Sequence, residues 1–502
     1  MRRHLVTKGS FYERLADHGH EIVTDSDFAH CYSPDKGRPS IPPSVMMRTV
    51  LCATHDRTSD AETSRRSRVD ADWKAAMGVD DEFTGIGATT FSLFRARLVL
   101  HDAEKAVFEK TVERAVEARV LRGTLTAIID SSPVAGAGAV ADTYELVRGF
   151  IDKTARAAGG LPPDLARRVE PLCGAKPDID WDDPQARRDH LAELVAVGQA
   201  LLAQVEGSED PAVTEPAALL AAVVAQDVEE DPDDPRPRIR RGVAPDRIVS
   251  HSDPEMRHGR KSASRRFDGH KLHVLTDEAS ELVLAVDVGP GNGTDAEACV
   301  PLLEAAAAVG GVEVATVLAD MAYSDGDTRV AVEHAGAEVV AKVPPIRNGG
   351  RLPKTEFAID PEAGTVTCPA GVTTTDARPV RDHKGRQAAQ FVFPAATCAA
   401  CPLRERCVGG TGPRTVIVGP HEARMAKARA AQEDPAVKAL LRLRAKVERK
   451  IAHLQHLGMR QARYRGRRKT KLQATLAATV ANFNRIVVLG AFDGTREAAC
   501  AA

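Results

Sequence analysis

The chain has 502 residues, of which 43% are hydrophobic and 4% aromatic, and its formal net charge is −2. This length exceeds what one hydrophobic core usually supports, so we expect roughly two to four domains. The near-neutral charge excludes a polycation, so any affinity for nucleic acid must come from local basic surface.

The cysteines and the hydropathy pattern bear on the compartment. Nine cysteines form an odd, unevenly spaced set, which argues against a secreted disulfide framework. No stretch resembles the apolar core of a signal peptide or a membrane span. We therefore expect a cytoplasmic protein without a membrane partner.

Residues 1–120 have the apolar spacing of helices. SIPPSVMMRTVLCA has a Ser-Pro start, and Trp73 and Met77 share one helical face because they are four residues apart. Basic residues on other faces make this block a candidate DNA-binding domain. A helical packing module with a solvated charged surface is an equally good interpretation of the same pattern.

The pattern changes at TLTAIIDSSPV, where an apolar β-branched run ends at Asp130 and predicts a strand. Residues 145–245 then have helical spacing in LAELVAVGQALLAQV and PAALLAAVVAQDV, which predicts a helical insert. This insert ends in VEEDPDDPRPRIRRG, an acidic and Pro-rich stretch typical of a linker or exposed loop.

Strand signals resume after the insert. FDGHKLHVLTD and ELVLAVDVG predict a hairpin, with His270 and His273 interpreted as surface or DNA-proximal residues. The next strand, VATVLAD, ends on Asp320, and a helix and another strand follow it. Asp325 and Asp327 have the positions of helix caps. The order of these elements predicts an α/β fold, a mixed sheet with flanking helices.

Residues 346–420 interrupt this rhythm and contain a cluster of four cysteines, Cys368, Cys398, Cys401 and Cys407. Four thiolates suffice for a tetrahedral structural Zn²⁺, and a loop-rich segment with few core residues favours such a metal site. Ordinary buried cysteines, or a redox pair formed by Cys398 and Cys401, are the alternatives.

The two acids that follow apolar runs could act together. Adjacent strands lie about 4.8 Å apart, so Asp130 and Asp320 could share a divalent cation if their strands are neighbours. A third acid, Glu448, is the only one among thirteen Lys and Arg in residues 438–471. Helical spacing puts it on a face with Leu441 and Ile451, so we expect it to point inward, toward a metal or into an ion pair with Arg444.

These three acids, two at the ends of strands and one on a helix that reads RAKVERK, resemble those of the DDE transposases of bacterial insertion sequences. The helical N-terminal block, the strand-hairpin-helix segment, the cysteine-bearing insert and the tail RYRGRRKTKLQ resemble one branch of that family. The resemblance implies a ribonuclease H-like catalytic domain over residues 121–490, preceded by an N-terminal DNA-binding domain.

The resemblance also implies a chemistry and a set of partners. Two Mg²⁺ (or Mn²⁺) ions per active site would be held by Asp130, Asp320 and Glu448, with Asp130 bridging them. The substrates would be transposon ends and target sites in double-stranded DNA, bound by a homodimer or higher oligomer at the nucleoid. The residues expected to contact DNA phosphates are basic and lie near Glu448: Arg444, Arg463, Arg465, Arg467, Arg468, Lys469 and Lys471.

The chain departs from the Tyr-Arg-Glu-Lys signature of some relatives. Arg444 matches, but Leu441 and Gln455 occupy the positions of the tyrosine and the lysine. These departures leave a second hypothesis open, namely a catalytically impaired, domesticated DNA-binding protein of transposase descent.

Overall fold

The computed structural model describes residues 4, 6–33, 40–174, 177–262 and 264–493. The α-helices, in chain order, are α1 (Phe11–Ile22), α2 (Pro43–Asp56), α3 (Asp60–Val69), α4 (Ala71–Met77), α5 (Ala88–His101), α6 (Glu104–Glu117), α7 (Thr143–Ala158), α8 (Pro163–Val169), α9 (Pro184–Gln204), α10 (Pro211–Asp227), α11 (Cys299–Ala307), α12 (Gly326–His334), α13 (Ala395–Ala399), α14 (Arg404–Cys407), α15 (Glu422–Ala431), α16 (Pro435–Arg442), α17 (Ala445–Leu454) and α18 (Arg467–Val488). The strands are β1 (Thr124–Ala135), β2 (Val228–Asp231), β3 (Asp234–Ile239), β4 (Arg257–Arg260), β5 (Arg266–Asp277), β6 (Val283–Pro290), β7 (Glu313–Ala319), β8 (Glu338–Ala341), β9 (Ala358–Asp360), β10 (Thr365–Thr367), β11 (Thr373–Thr374), β12 (Ala377–Arg381), β13 (Gln387–Val392) and β14 (Thr415–Val418).

A six-stranded mixed sheet forms the centre of the molecule. β1 pairs in parallel with β7, which pairs in parallel with β8, and β1 pairs antiparallel with β5. The other edge of β5 carries β6 and β4, both antiparallel. This mixed α/β architecture is consistent with a ribonuclease H-like domain, and the predicted β5–β6 hairpin is confirmed.

The N-terminal helices share one hydrophobic core with this sheet. Residues of α1, α2, α4, α5 and α6, of the sheet and of α18 belong to a single buried cluster, in which Trp73 and Met77 are fully buried. α18 lies between the two parts, and its buried Asn482 donates to the backbone oxygen of Val283 and to Thr111. The α1–α6 block and the sheet are thus joined by apolar packing as well as by the chain.

The helical insert between β1 and β4 has a core of its own, built from α7, α9 and α10. The stretch predicted as a linker or loop forms the β2–β3 hairpin instead, so that prediction is wrong. Ion pairs hold the hairpin to itself and to α9: Arg238 bonds Glu229 across the two strands, and Arg236 bonds Asp189. Its prolines are tolerated because both strands are edge strands.

The cysteine-bearing insert contains two small sheets, β11-β10-β9 and β12-β13-β14, around a separate core that includes Phe391 and Phe393. It contacts α12 through charged groups, since Arg386 and His421 both bond Asp327. Within the described ranges no helix combines the length and the apolar character that crossing a membrane requires.

Candidate functional site

Asp130 and Asp320 lie on neighbouring parallel strands. The register pairs Ala127 with Val317 and Ile128 with Leu318, and continuing it by two residues places Asp130 opposite Asp320. Paired residues of adjacent strands point to the same face of a sheet, so both carboxylates stand on one face about 5 Å apart in backbone spacing. The two strands are neighbours, so the condition under which the acids could share a cation is met. Asp130 does not end its strand, however, because β1 continues to Ala135.

The surroundings of Asp130 disfavour its charged form. Burial is the largest cause and raises its pKa to about 6; the backbone N–H of Ser131 and the guanidinium of Arg444 lower the pKa, and Asp320 and Asp295 raise it. Two carboxylates this close repel each other unless a proton or a cation lies between them. A hard divalent cation prefers oxygen ligands of this kind, so the pair fits such an ion.

Asp320 directly follows β7 and accepts a hydrogen bond from the backbone N–H of Ala322 at 2.8 Å, which fixes the turn after the strand. Of the two later acids, Asp325 has the capping role that the sequence indicates and Asp327 does not, because Asp327 lies inside the helix. Asp325 caps α12 by accepting from the backbone of Asp327 and Thr328, and Asp327 itself bonds Arg386 and His421. Of Asp320, Asp325 and Asp327, it is Asp320 that directly follows β7, the strand that pairs with the strand of Asp130.

Glu448 lies on α17, but the expectation that it points inward is wrong. Its side chain is exposed, while Val447, Ile451 and Leu454 form the buried face of the helix. Among the described residues it forms no ion pair, so the alternative of a pair with Arg444 is not realised either. Two residues of its own face do reach β1: Arg444 lies close enough to lower the pKa of Asp130, and Gln455 bonds Ser132.

Gln455 anchors α17 to the sheet. Its Nε2 donates to Oγ of Ser132 at 2.8 Å, and Ser132 is buried on the same face of β1 as Asp130. Sequence comparison presented Gln455 only as a departure from a signature. The contact that gives it a role joins residues 323 positions apart, so no local pattern could have revealed it.

No preformed metal site is present in the described ranges: no three His, Cys, Asp or Glu side chains converge on one point. The arrangement therefore offers two carboxylates on one face of the sheet and a third acid on the adjacent helix. These three side chains could hold cations only if they move closer together when the ions bind.

The four cysteines of the insert line one cavity of about 30 Å³. All four are free thiols, none of them fully buried. Burial raises the pKa of the Cys407 thiol; Arg414 opposes this shift, and Cys398, Cys368 and Cys401 add to it. Four sulfur donors are the ligand type that Zn²⁺ accepts, but within the described ranges the four thiols line the cavity without converging on one point.

The basic tail after α17 is less free than its sequence suggests. Four of its cations bond acids from distant parts of the chain, as follows: Arg463 with Asp60, Arg467 with Glu255, Arg468 with Asp102, and Lys471 with Asp287. Arg465 and Lys469 are exposed and have no ion-pair partner within the described ranges. Arg463, Arg467, Arg468 and Lys471 are thus ion-paired within the molecule, and the assignment of this tail to DNA stays a prediction.

The two histidines of β5 are buried, contrary to the expectation of surface residues. His270 and His273 are 0% and 3% exposed. His270 Nε2 lies 3.5 Å from a carboxylate oxygen of Asp253, which is equally buried. Burial lowers the pKa of His273. Side chains on both faces of β5 are buried. The alternation of polar and apolar residues within one strand could not predict this, because it does not show what packs on either face.

Comparison with known families gives two matches. A family described as Transposase DDE domain matches residues 367–487, which include α17 and Glu448 but neither Asp130 nor Asp320. A family described as Transposase domain (DUF772) matches residues 1–97, the helices before the sheet. No curated protein and no solved structure matches the chain.

Proposed function

We propose that this chain, which belongs to the DDE transposases of insertion sequences, cuts transposon ends and joins them to target DNA at Asp130 and Asp320. The observation that carries the proposal is the pair of carboxylates side by side on parallel strands. The pKa of Asp130 is raised to about 6, which shows that its charged form is disfavoured. A bound cation would stabilise that charged form. Phosphoryl transfer at a metal-binding site of this kind requires mainly that the reacting groups are positioned and that their negative charge is neutralised.

Two Mg²⁺ (or Mn²⁺) ions would be held by Asp130, Asp320 and Glu448, with Asp130 shared between them. When bound, the ions supply an activated water or 3′-hydroxyl and neutralise charge on the leaving oxygen. The chain itself fixes the separation of the two aspartates through the β1–β7 register. Arg444 adds positive charge beside them.

Glu448 is the third acid of this proposal because of where its neighbours on the helix lie. Residues one turn before it and two turns after it, Arg444 and Gln455, reach the strand that carries Asp130. Its exposure suits a carboxylate that turns toward the sheet only when ions and DNA are bound. A rotation of its side chain is the smallest change that would complete the set.

The DNA-binding assignments follow the same charges. Arg444, Arg465 and Lys469 are the cations we assign to phosphate contacts, because none of them forms an ion pair within the described ranges. We assign Arg463, Arg467, Arg468 and Lys471 to holding the molecule together. The N-terminal helices would read the transposon ends, and a homodimer or higher oligomer would pair two ends at the nucleoid in the cytoplasm.

We further propose that the four cysteines hold one structural Zn²⁺. The support is that Cys368 lines the same small cavity as Cys398, Cys401 and Cys407, although it lies thirty residues before them in the chain. The ion would join the first strands of the insert to α13 and α14, which have few other buried contacts.

A second candidate function is DNA binding by a transposase descendant that no longer cuts. The observation that favours it is the absence of a converged acid triad within the described ranges. The two functions differ in one measurable property, which is cleavage.

The test uses DNA ends identified from inverted repeats that flank the reading frame. Asp130→Asn, Asp320→Asn and Glu448→Gln should each abolish Mg²⁺-dependent cleavage while retaining binding in a gel-shift assay. Asp327→Asn is the matched control, since this nearby carboxylate is occupied by Arg386 and His421. Wild-type cleavage by the Glu448→Gln protein would remove this residue from the site. Binding without any cleavage by the unaltered chain would favour the second candidate.

A further inference from the structure

A groove of about 960 Å³ opens directly beside Asp320. One wall is the segment after β8, from Lys342 to Ile346, and the other is formed by residues of α15 and α16. Asp320 and Met321 also line the groove, so it reaches one carboxylate of the pair, whereas Asp130 is not among its lining residues. Met321 is 53% exposed, which leaves the groove open to a ligand at this point.

The groove carries more positive than negative charge. Its cations are Lys342, Arg429, Lys438, Arg442 and Arg444, and its acids are Asp320 and Glu433. Arg429 is 3.7 Å from Glu422, and Lys438 is 2.9 Å from Glu433. The other three cations have no ion-pair partner within the described ranges, and the buried Nε of Arg444 has no hydrogen-bond partner.

We propose that this groove holds the phosphate backbone of a single DNA strand as it runs to or from the carboxylate pair. Unpaired cations along a groove are the arrangement that tracks a nucleic-acid backbone. The inference rests on the proposed function, because it assumes that the strand is the one cut at Asp130 and Asp320. It extends that function by assigning Lys342 and Arg442, which no sequence motif indicated.

The size of the groove selects one strand over a duplex. Its volume is that of an ordinary ligand pocket, about 300–1,000 Å³, and accommodates a few nucleotides of one strand. Its apolar lining consists of aliphatic residues and prolines, among them Pro344, Pro345 and Leu441, and includes no aromatic ring. The strand is therefore held by its phosphates and not by base stacking, so its binding should depend strongly on salt and weakly on sequence.

The experiment measures binding of a short labelled oligodeoxythymidylate and of a duplex of equal length to the full chain, over a range of salt and without divalent cations. The variants are Lys342→Ala, Arg442→Ala and the two combined. Lys427→Ala is the matched control, because Lys427 is an exposed cation on α15 that does not line the groove. Each of the four proteins is first checked for an unchanged melting temperature.

For the single strand, each single variant should flatten the log–log salt slope by about 0.7 and the double variant by about 1.4. The control should match the unaltered chain, and the duplex should be affected less. A double-variant slope equal to that of the control would overturn the proposal, and so would an equal change for single strand and duplex. The binding measurement does not require cleavage. A protein that binds the single strand as expected but never cuts DNA would therefore reject the proposed function and leave this inference standing.

Discussion

At the scale of single residues, Asp130 is the group whose charge state decides how the site behaves. Asp130 is half-buried beside Asp320, and its pKa of about 6 compares with 3.8 for an ordinary aspartate. The native state therefore binds a proton more tightly than the unfolded chain does. The resulting contribution to stability is fully present below pH 3.8 and is lost as the pH rises through about 6.

Replacing this carboxyl should make the protein more stable at neutral pH. In the absence of divalent cations, Asp130→Asn should raise the free energy of unfolding at pH 7 by about 1–3 kcal/mol and have little effect at pH 4. Urea denaturation at both pH values measures the difference. Asp327→Asn, which removes an ion-paired carboxylate, should show no such gain. A less stable Asp130→Asn protein at pH 7 would contradict the assigned burial.

The same residue should also govern the response to Mg²⁺. The ion should raise the melting temperature of the unaltered chain, because it binds the native carboxylate pair and not the unfolded chain. Asp130→Asn should lose most of this rise. Thermal melts at several Mg²⁺ concentrations provide the measurement, and an equal rise in both proteins would place the ion elsewhere.

At the scale of secondary-structure elements, a polar contact at the end of α17 adds to the apolar packing and the Lys446–Glu278 ion pair that hold this helix on the sheet. The bond from Gln455 to buried Ser132 lies between the helix end and the strand of Asp130. A double-mutant cycle with Gln455→Ala and Ser132→Ala should give a coupling energy of about 0.5–1.5 kcal/mol. We expect Gln455→Ala to reduce cleavage more than DNA binding, because Glu448 shares this helix. Additive effects of the two changes would show that the contact is not formed.

The cysteine-bearing insert yields a prediction about metal content. Protein purified without chelator should contain about one zinc per chain, and Cys401→Ser should lower that content and the melting temperature. Cys173→Ser is the control, since Cys173 lies in the helical insert, away from the other four thiols. Elemental analysis that finds no zinc in the unaltered protein would reject the site.

Elements defined by local pattern were predictable, and those defined by distant partners were not. The β5–β6 hairpin, β7 with Asp320 and α12 with its aspartate cap all follow from alternation, spacing and capping residues. β1 extends past Asp130 because β5 pairs with it as far as Ala135. The β2–β3 hairpin depends on ion pairs with α9, and the exposure of Glu448 depends on how α17 lies on the sheet.

At the scale of the whole molecule, the basic tail connects parts that are remote in sequence. Arg463 and Arg468 bond acids of the N-terminal helices, and Arg467 bonds Glu255 before β4. Their partners lie hundreds of residues away, which is why a basic run in the sequence suggested DNA binding for all of them. Arg465 and Lys469 retain that role in our proposal.

The two groups of tail cations should differ when each is removed. Arg465→Ala with Lys469→Ala should flatten the salt slope of duplex binding by about 1.8 and leave stability unchanged. Arg463→Ala with Arg468→Ala should lower stability by about 1–2 kcal/mol and change the slope less. Salt titrations and urea denaturation of both proteins provide the comparison. If the Arg463/Arg468 change flattened the salt slope and the Arg465/Lys469 change lowered stability instead, the paired arginines would be the DNA-binding residues.

The shared core also determines when during synthesis the protein can fold. α6 and α18 pack together through residues such as Thr111 and Asn482, yet nearly all of the sheet and both inserts are translated between them. The apolar faces of the N-terminal helices therefore stay uncovered on the ribosome until α18 emerges. Soluble yield in the cell should therefore rise with the supply of chaperones that bind nascent chains.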